Sequence, residues 1–184
     1  MKRFLLAGAV LAALSTPAAA QPAPAADPQN TVYLQTKDGR ITIRLRPDLA
    51  PKHVEQVKTL TRQKFYDGIV FHRVIDGFMA QTGDPTGTGT GGSQLPNIPA
   101  EFSREPFKRG SVGMARSQSP NSANSQFCLC YYGCGSLTGQ YTLLGEVVSG
   151  MDVVDKIKKG SSAQNGQVQN PDKIITMRLA TDAQ

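Results

Sequence analysis

The chain has 184 residues, with 20 Lys and Arg against 14 Asp and Glu, three cysteines, two histidines and no tryptophan. That length suits one domain with a sizeable core rather than several. The net charge of +6 favours solubility and weak attraction to anionic surfaces, but the basic residues are scattered, which argues against a nucleic-acid binder.

Residues 1–20 read as a secretory signal peptide. Lys2 and Arg3 precede an apolar run at 4–14, and Ala18, Ala19 and Ala20 form an A-x-A cleavage site before Gln21. The run is shorter than the roughly 20 residues of a spanning helix, so no membrane insertion is expected. Residues 21–30, rich in Pro and Ala, read as a disordered spacer, and 31–184 as one domain.

Within that domain, 31–36 and 40–45 alternate apolar and polar residues around Lys37-Asp38-Gly39, the pattern of a hairpin. Residues 48–64 read as a helix, with Pro51 in the first turn, Val54, Val57 and Leu60 on one face, and basic residues toward the end. Short strands are expected at 70–74, 78–82, 111–114, 126–131, 141–147 and 174–179, with a second helix at 151–158. Lys156, Lys158 and Lys159 suit the polar face and C-terminal turn of that helix. Many short strands with Gly-rich turns and two helices point to a mainly β fold, a closed antiparallel barrel of about eight strands.

Several chemistries lack their residues. The Gly-rich run at 83–92 leads into Ser93-Gln94-Leu95-Pro96 rather than a helix and ends without Gly-Lys-Ser/Thr, so it is no nucleotide loop. A hydrolytic triad has only His53 and His72 to draw on and no G-x-S-x-G elbow. Cys128, Cys130 and Cys134 lie within seven residues but without a clear fourth ligand, so no metal site is expected. In an oxidising compartment one pair could form a disulfide and leave an odd thiol. The most informative stretch is 65–84, FYDGIVFHRVIDGFMAQTGD. Its apolar Phe71, Val74, Ile75, Phe78 and Met79 accompany Arg73 and Gln81, whose guanidinium and amide can grip a carbonyl without titrating.

That stretch resembles the signature of the cyclophilin-type peptidyl-prolyl isomerases, through FHRVI followed by GFMAQTGD. GSVGMARSQSPNSANSQF at 110–127 and QYTLLGEVVSGMDVVDK at 140–156 resemble two further blocks of the family in the same order. The resemblance implies acceleration of X-Pro isomerisation during the folding of exported proteins, with Arg73 and Gln81 as the catalytic pair and no cofactor. It implies a groove built by Phe78, Met79, Gly89, Ala115, Arg116, Ser117, Gln126, Cys128, Leu137 and Tyr141. The partners implied are proline-containing unfolded or partly folded polypeptides, bound by a monomer in the periplasm or outside the cell.

Two positions depart from the family pattern. Cys128 stands where the family usually has a phenylalanine at the pocket floor, and Ser136 where many members have a tryptophan associated with cyclosporin binding. Losing a ring from a packed site costs about 3–5 kcal/mol where the void does not collapse. Tyr131 and Tyr132 are the nearby candidates to fill it. Cys128 also motivates a second expectation, a proline-peptide binding module or holdase with little catalysis.

Overall fold

A computed structural model describes residues 27–183; the expected signal peptide and the start of the expected spacer lie outside the described residues. Pro28–Asn30, placed by the sequence in that spacer, form a 3-10 turn. Asp27 caps it by accepting from the Gln29 amide (3.0 Å), and Lys58 from the first helix donates to Asn30.

The alternating residues at the start of the domain form a hairpin of β1 (Thr31–Thr36) and β2 (Gly39–Leu45). Val32, Leu34, Ile41, Ile43 and Leu45 all point inward and are buried, each such side chain contributing about 1.5–3 kcal/mol by leaving water. The first helix, α1 (Pro51–Arg62), is shorter than the expected 48–64: Asp48 pairs with Arg46 ahead of it, and Lys64, at φ +57°, lies in a left-handed conformation beyond its end. Ala50 at its N-cap has no side-chain acceptor. Glu101, from a distant loop, takes that role: it accepts from the Lys52 and His53 amides and lies 2.6 Å from His53 Nδ1. Val54, Val57 and Leu60 then bury against the core.

Six further strands follow: β3 (Arg73–Ile75), β4 (Met79–Thr82), β5 (Ser111–Met114), β6 (Phe127–Cys130), β7 (Leu143–Ser149) and β8 (Thr176–Leu179), with α2 (Met151–Lys156) between β7 and β8. All are antiparallel in one curled sheet of order β3-β4-β6-β5-β7-β2-β1-β8. No ladder joins β3 to β8, so the closed barrel expected from the sequence is not made by strand pairing. The physical reason lies at the free edge of β3, which is occupied by the loop at 160–168. Val74 donates to Gly166, Gly160 to the Val74 carbonyl, and Val168 to His72. The chain just before β3 meets the chain just before β8 only through three backbone bonds, Gly68 to Ile174, Phe71 to Asp172 and Ile174 to Ile69.

Two apolar clusters result from strand alternation. On the inner face Val74, Ala80, Leu129, Val112, Phe127 and Met114 join the main core. On the outer face of the same strands Met79, Cys128 and Cys130 join Phe107, Cys134 and Leu143 in a second, smaller cluster. No helix among the described residues is long and apolar enough to cross a membrane.

Candidate active site

Strand register assembles the outer face. Arg73 on β3 lies opposite Gln81 on β4, Gln81 opposite Cys128 on β6, and Cys128 opposite Gly113 on β5. One row across four strands therefore carries the expected catalytic pair and the expected floor. The next row holds Ile75, Met79 and Cys130.

Above these rows is a cavity of about 390 Å³. Ten of the twelve site residues expected from the sequence line it: Arg73, Gln81, Phe78, Met79, Gly89, Ala115, Arg116, Cys128, Leu137 and Tyr141. Ser117 and Gln126 line an adjoining concavity of about 590 Å³ that shares Gln81, Gly89, Ala115 and Arg116 with the first. Ser136 lies on the 3-10 turn Cys134–Leu137 and is outside both linings.

The polar side of the site is a directed chain of hydrogen bonds. Arg73 Nη1 donates to Gln81 Oε1 (3.1 Å), Gln81 Nε2 to Gln126 Oε1 (2.8 Å), and Gln126 Nε2 to the carbonyls of Gly89 (3.1 Å) and Gly91 (2.8 Å). A guanidinium can only donate and a carbonyl can only accept, so the two ends fix the orientation of both amides between them. The far end is anchored by Asp84, which is buried and accepts from the amides of Thr86, Gly89 and Gly91 and from the Thr86 hydroxyl. Burial alone would raise its carboxyl, but the Thr86 hydroxyl and the three amides outweigh burial and hold it at about 2.

The Gly-rich run is thus a loop wound around one carboxylate, and it supplies Gly89 as a wall. His72 packs beneath that loop: it is 6% exposed, and burial lowers its pKa, which favours the neutral ring at neutral pH.

The apolar side answers the question raised by Cys128. Its thiol is free, buried and donates to the Gly113 carbonyl at 3.4 Å, and burial pushes its pKa up to about 11. It is a packing group, not a nucleophile. Phe107 packs across Gly113 beside it: a Cβ on Gly113 would come within 2.5 Å of that ring. Phe107 and Cys128 thus pack side by side in the smaller cluster, and of the two only Cys128 lines the cavity.

Tyr131 and Tyr132 do not fill the space. Tyr131 bonds the Val154 carbonyl in the interior, and Tyr132 is 73% exposed beneath Arg109. Cys130 and Cys134 form a disulfide that fastens β6 to the turn carrying Leu137. At the opposite rim, the Arg116 guanidinium stacks 4.5 Å above the Tyr141 ring and donates to the carbonyls of Gln140, Ser117 and Gln118.

His72, Thr88, Met114, Gln164, Asn165 and Gln167 also line the cavity and were not among the expected site residues. His72 lies within the FHRVI stretch, and outside it the Asn165-Gly166 dipeptide is the one local signal, because Asn-Gly marks a left-handed turn. Nothing in its spacing points toward Arg73, which it meets across 92 positions. Among the described residues no cluster of His, Cys, Asp or Glu is placed to hold a metal ion.

Comparison with known proteins identifies the family and its fold. Residues 31–179 match the family profile for cyclophilin type peptidyl-prolyl cis-trans isomerase/CLD. A Brucella suis protein named "Probable peptidyl-prolyl cis-trans isomerase" is 59% identical over 98% of this chain and 97% of its own. A Helicobacter pylori peptidyl-prolyl cis-trans isomerase is 42% identical over 69% of this chain and 80% of its own. Among solved structures, a Hirschia baltica cyclophilin superposes with a TM-score of 0.76 at 27% identity, covering 85% of this chain and 76% of that one. A Cryptosporidium parvum cyclophilin-type isomerase crystallised in the presence of the dipeptide Ala-Pro gives 0.73 at 27% identity, covering 81% and 98%. The chain belongs to the cyclophilin-type peptidyl-prolyl cis-trans isomerases, the enzymes of X-Pro bond rotation.

Proposed function

We propose that this isomerase acts on X-Pro bonds of unfolded or partly folded exported polypeptides, with Arg73 and Gln81 gripping the rotating carbonyl and the apolar slot holding the proline ring. The observation that carries it is a cation-headed hydrogen-bond chain, Arg73–Gln81–Gln126, running directly beside a cavity walled by Phe78, Met79 and Leu137 and floored by Cys128. Resonance holds an X-Pro bond planar behind a barrier of about 18–20 kcal/mol. Lowering it requires no nucleophile and no metal. A donor near the prolyl nitrogen weakens conjugation, and a fixed ring lets the carbonyl side turn against it. Ala115, Arg116 and Ser117 form the edge along which the peptide lies extended.

A periplasmic or secreted location fits the charged, apolar and A-x-A segments at 1–20 and the Cys130–Cys134 disulfide. A monomer is the oligomeric state proposed for this isomerase. The backbone bonds between 68–71 and 172–174 support a barrel closed through loops. The test is a protease-coupled or NMR exchange assay on an Ala-Pro peptide. Clear acceleration by the wild type and its near-complete loss in Arg73→Ala are expected; equal rates in the two proteins would remove Arg73 from the mechanism. A holdase without catalysis would bind the peptide and leave its exchange rate unchanged.

A further inference from the structure

We propose that Asn165 is a positioning residue for the reaction: it clamps one edge of the Arg73 guanidinium and thereby sets where the remaining donors of that group point. The inference rests on the assignment of Arg73 as the group that grips the carbonyl.

Asn165 presents two acceptors to one side chain. Its main-chain oxygen accepts from Arg73 Nε at 3.0 Å, and its Oδ1 accepts from Nη2 at 2.9 Å. A guanidinium has five N–H donors in a rigid fork. With Nη1 also donating to Gln81, three donors are committed and one remains on each terminal nitrogen. Arg73, Gln81 and Asn165 all line the same cavity, and under this proposal the two free donors belong to that space. Without the Asn165 contacts, a single bond to Gln81 would restrain a long, flexible side chain.

The clamp is held by main chain. Asn165 adopts φ +52° and ψ +35°, a left-handed conformation that asparagine tolerates better than most residues. Gly166, at φ +81°, follows it so closely against β3 that a Cβ there would come within 2.5 Å of the Ile75 side chain. Val74 donates to the Gly166 carbonyl at 2.7 Å, and Gly160 donates to the Val74 carbonyl at 2.9 Å. The loop is therefore indexed to the strand that carries Arg73, one residue from Arg73 itself. A non-glycine residue in a left-handed conformation, held there by such bonds, is the kind of local strain that collects at working sites.

Two substitutions separate the clamp from the loop. Asn165→Gly keeps the left-handed backbone and the main-chain acceptor while deleting Oδ1. Asn165→Asp keeps a side-chain acceptor in its place. On an Ala-Pro peptide, Asn165→Gly is expected to lower kcat about tenfold with KM within about twofold of wild type, and Asn165→Asp to restore kcat to within about threefold.

An Asn165→Gly protein whose kcat stays within about twofold of wild type, or whose loss falls on KM alone, overturns the proposal, provided Arg73→Ala is inactive. If Arg73→Ala is itself as active as wild type, the assignment of Arg73 fails instead, and the two failures are distinct. Should Asn165→Gly not fold, the wild-type Arg73 Nε–H resonance decides. A resolved, slowly exchanging signal supports the clamp, and one that exchanges as fast as those of free surface arginines overturns it.

Discussion

The two faces of β3, β4 and β6 share a backbone but differ in what their side chains do. Inward, Val74, Ala80, Phe127 and Leu129 pack into the main core, with Leu129 fully buried and without polar demands. Outward, one residue along, Arg73, Gln81 and Cys128 stand in a row under an open cavity, tied into a hydrogen-bond chain that ends at a Gly-rich loop. The inner face is held by shape and dehydration, which any well-fitting apolar set provides. The outer face is held by direction, because its donors and acceptors work in only one orientation. A period of two residues thus separates stability from chemistry within strands of three or four residues.

The sharpest way to break that division is to damage the inner face and look for catalytic loss. Leu129→Ala should cost about 2–5 kcal/mol of stability in urea or thermal unfolding, with kcat/KM of the folded protein within about threefold of wild type. The reverse experiment is Arg73→Ala: kcat/KM should fall about 100-fold or more in the Ala-Pro assay, with Tm nearly unchanged because that side chain is only partly buried.

Cys128→Phe tests where the faces interfere. With Phe107 already packed across Gly113 beside Cys128, a second ring should overpack the site, costing about 1–3 kcal/mol and giving no gain in turnover. A large gain would mean that the natural floor is deficient, in favour of weak native catalysis.

The smallest effect concerns Asp84. Its folded pKa of about 2 lies below the ordinary carboxylate value, so its contribution is present above about pH 4 and is lost as pH falls to about 2. Asp84→Asn should therefore be less stable than wild type by about 2 kcal/mol or less at pH 7, and the gap should close across that window. A gap independent of pH would assign the effect to packing.

The inner face was legible in the sequence because alternation and burial are local patterns. All eight strands and both helices fall near where apolar periodicity placed them: β1 and β5 match, β2 begins one residue earlier, β3 and β7 are displaced toward the C-terminal side, and the other elements are shortened at their ends. Arg73, Gln81, Phe78 and Met79 were legible for another reason: they sit in one contiguous motif and reach the cavity through a single hairpin.

What stayed hidden depends on distant chain. Phe107 packs across Gly113 into the cluster that holds Cys128, while Tyr131 and Tyr132, closer in sequence, turn elsewhere. The strand ladder leaves the barrel open between β3 and β8, where the loop at 160–168, with no strand pattern of its own, takes the edge of β3 and a single bridge pairs Val70 with Lys173. The same loop delivers Asn165 to Arg73. No periodicity encodes such a meeting.

The most direct measurement determines kcat/KM and Tm together for Arg73→Ala and Leu129→Ala on one Ala-Pro peptide. A crossed pattern is predicted, with Arg73→Ala losing activity at nearly full stability and Leu129→Ala losing stability at nearly full activity. Parallel losses of both quantities in both proteins would contradict the separation of core and site across one set of strands.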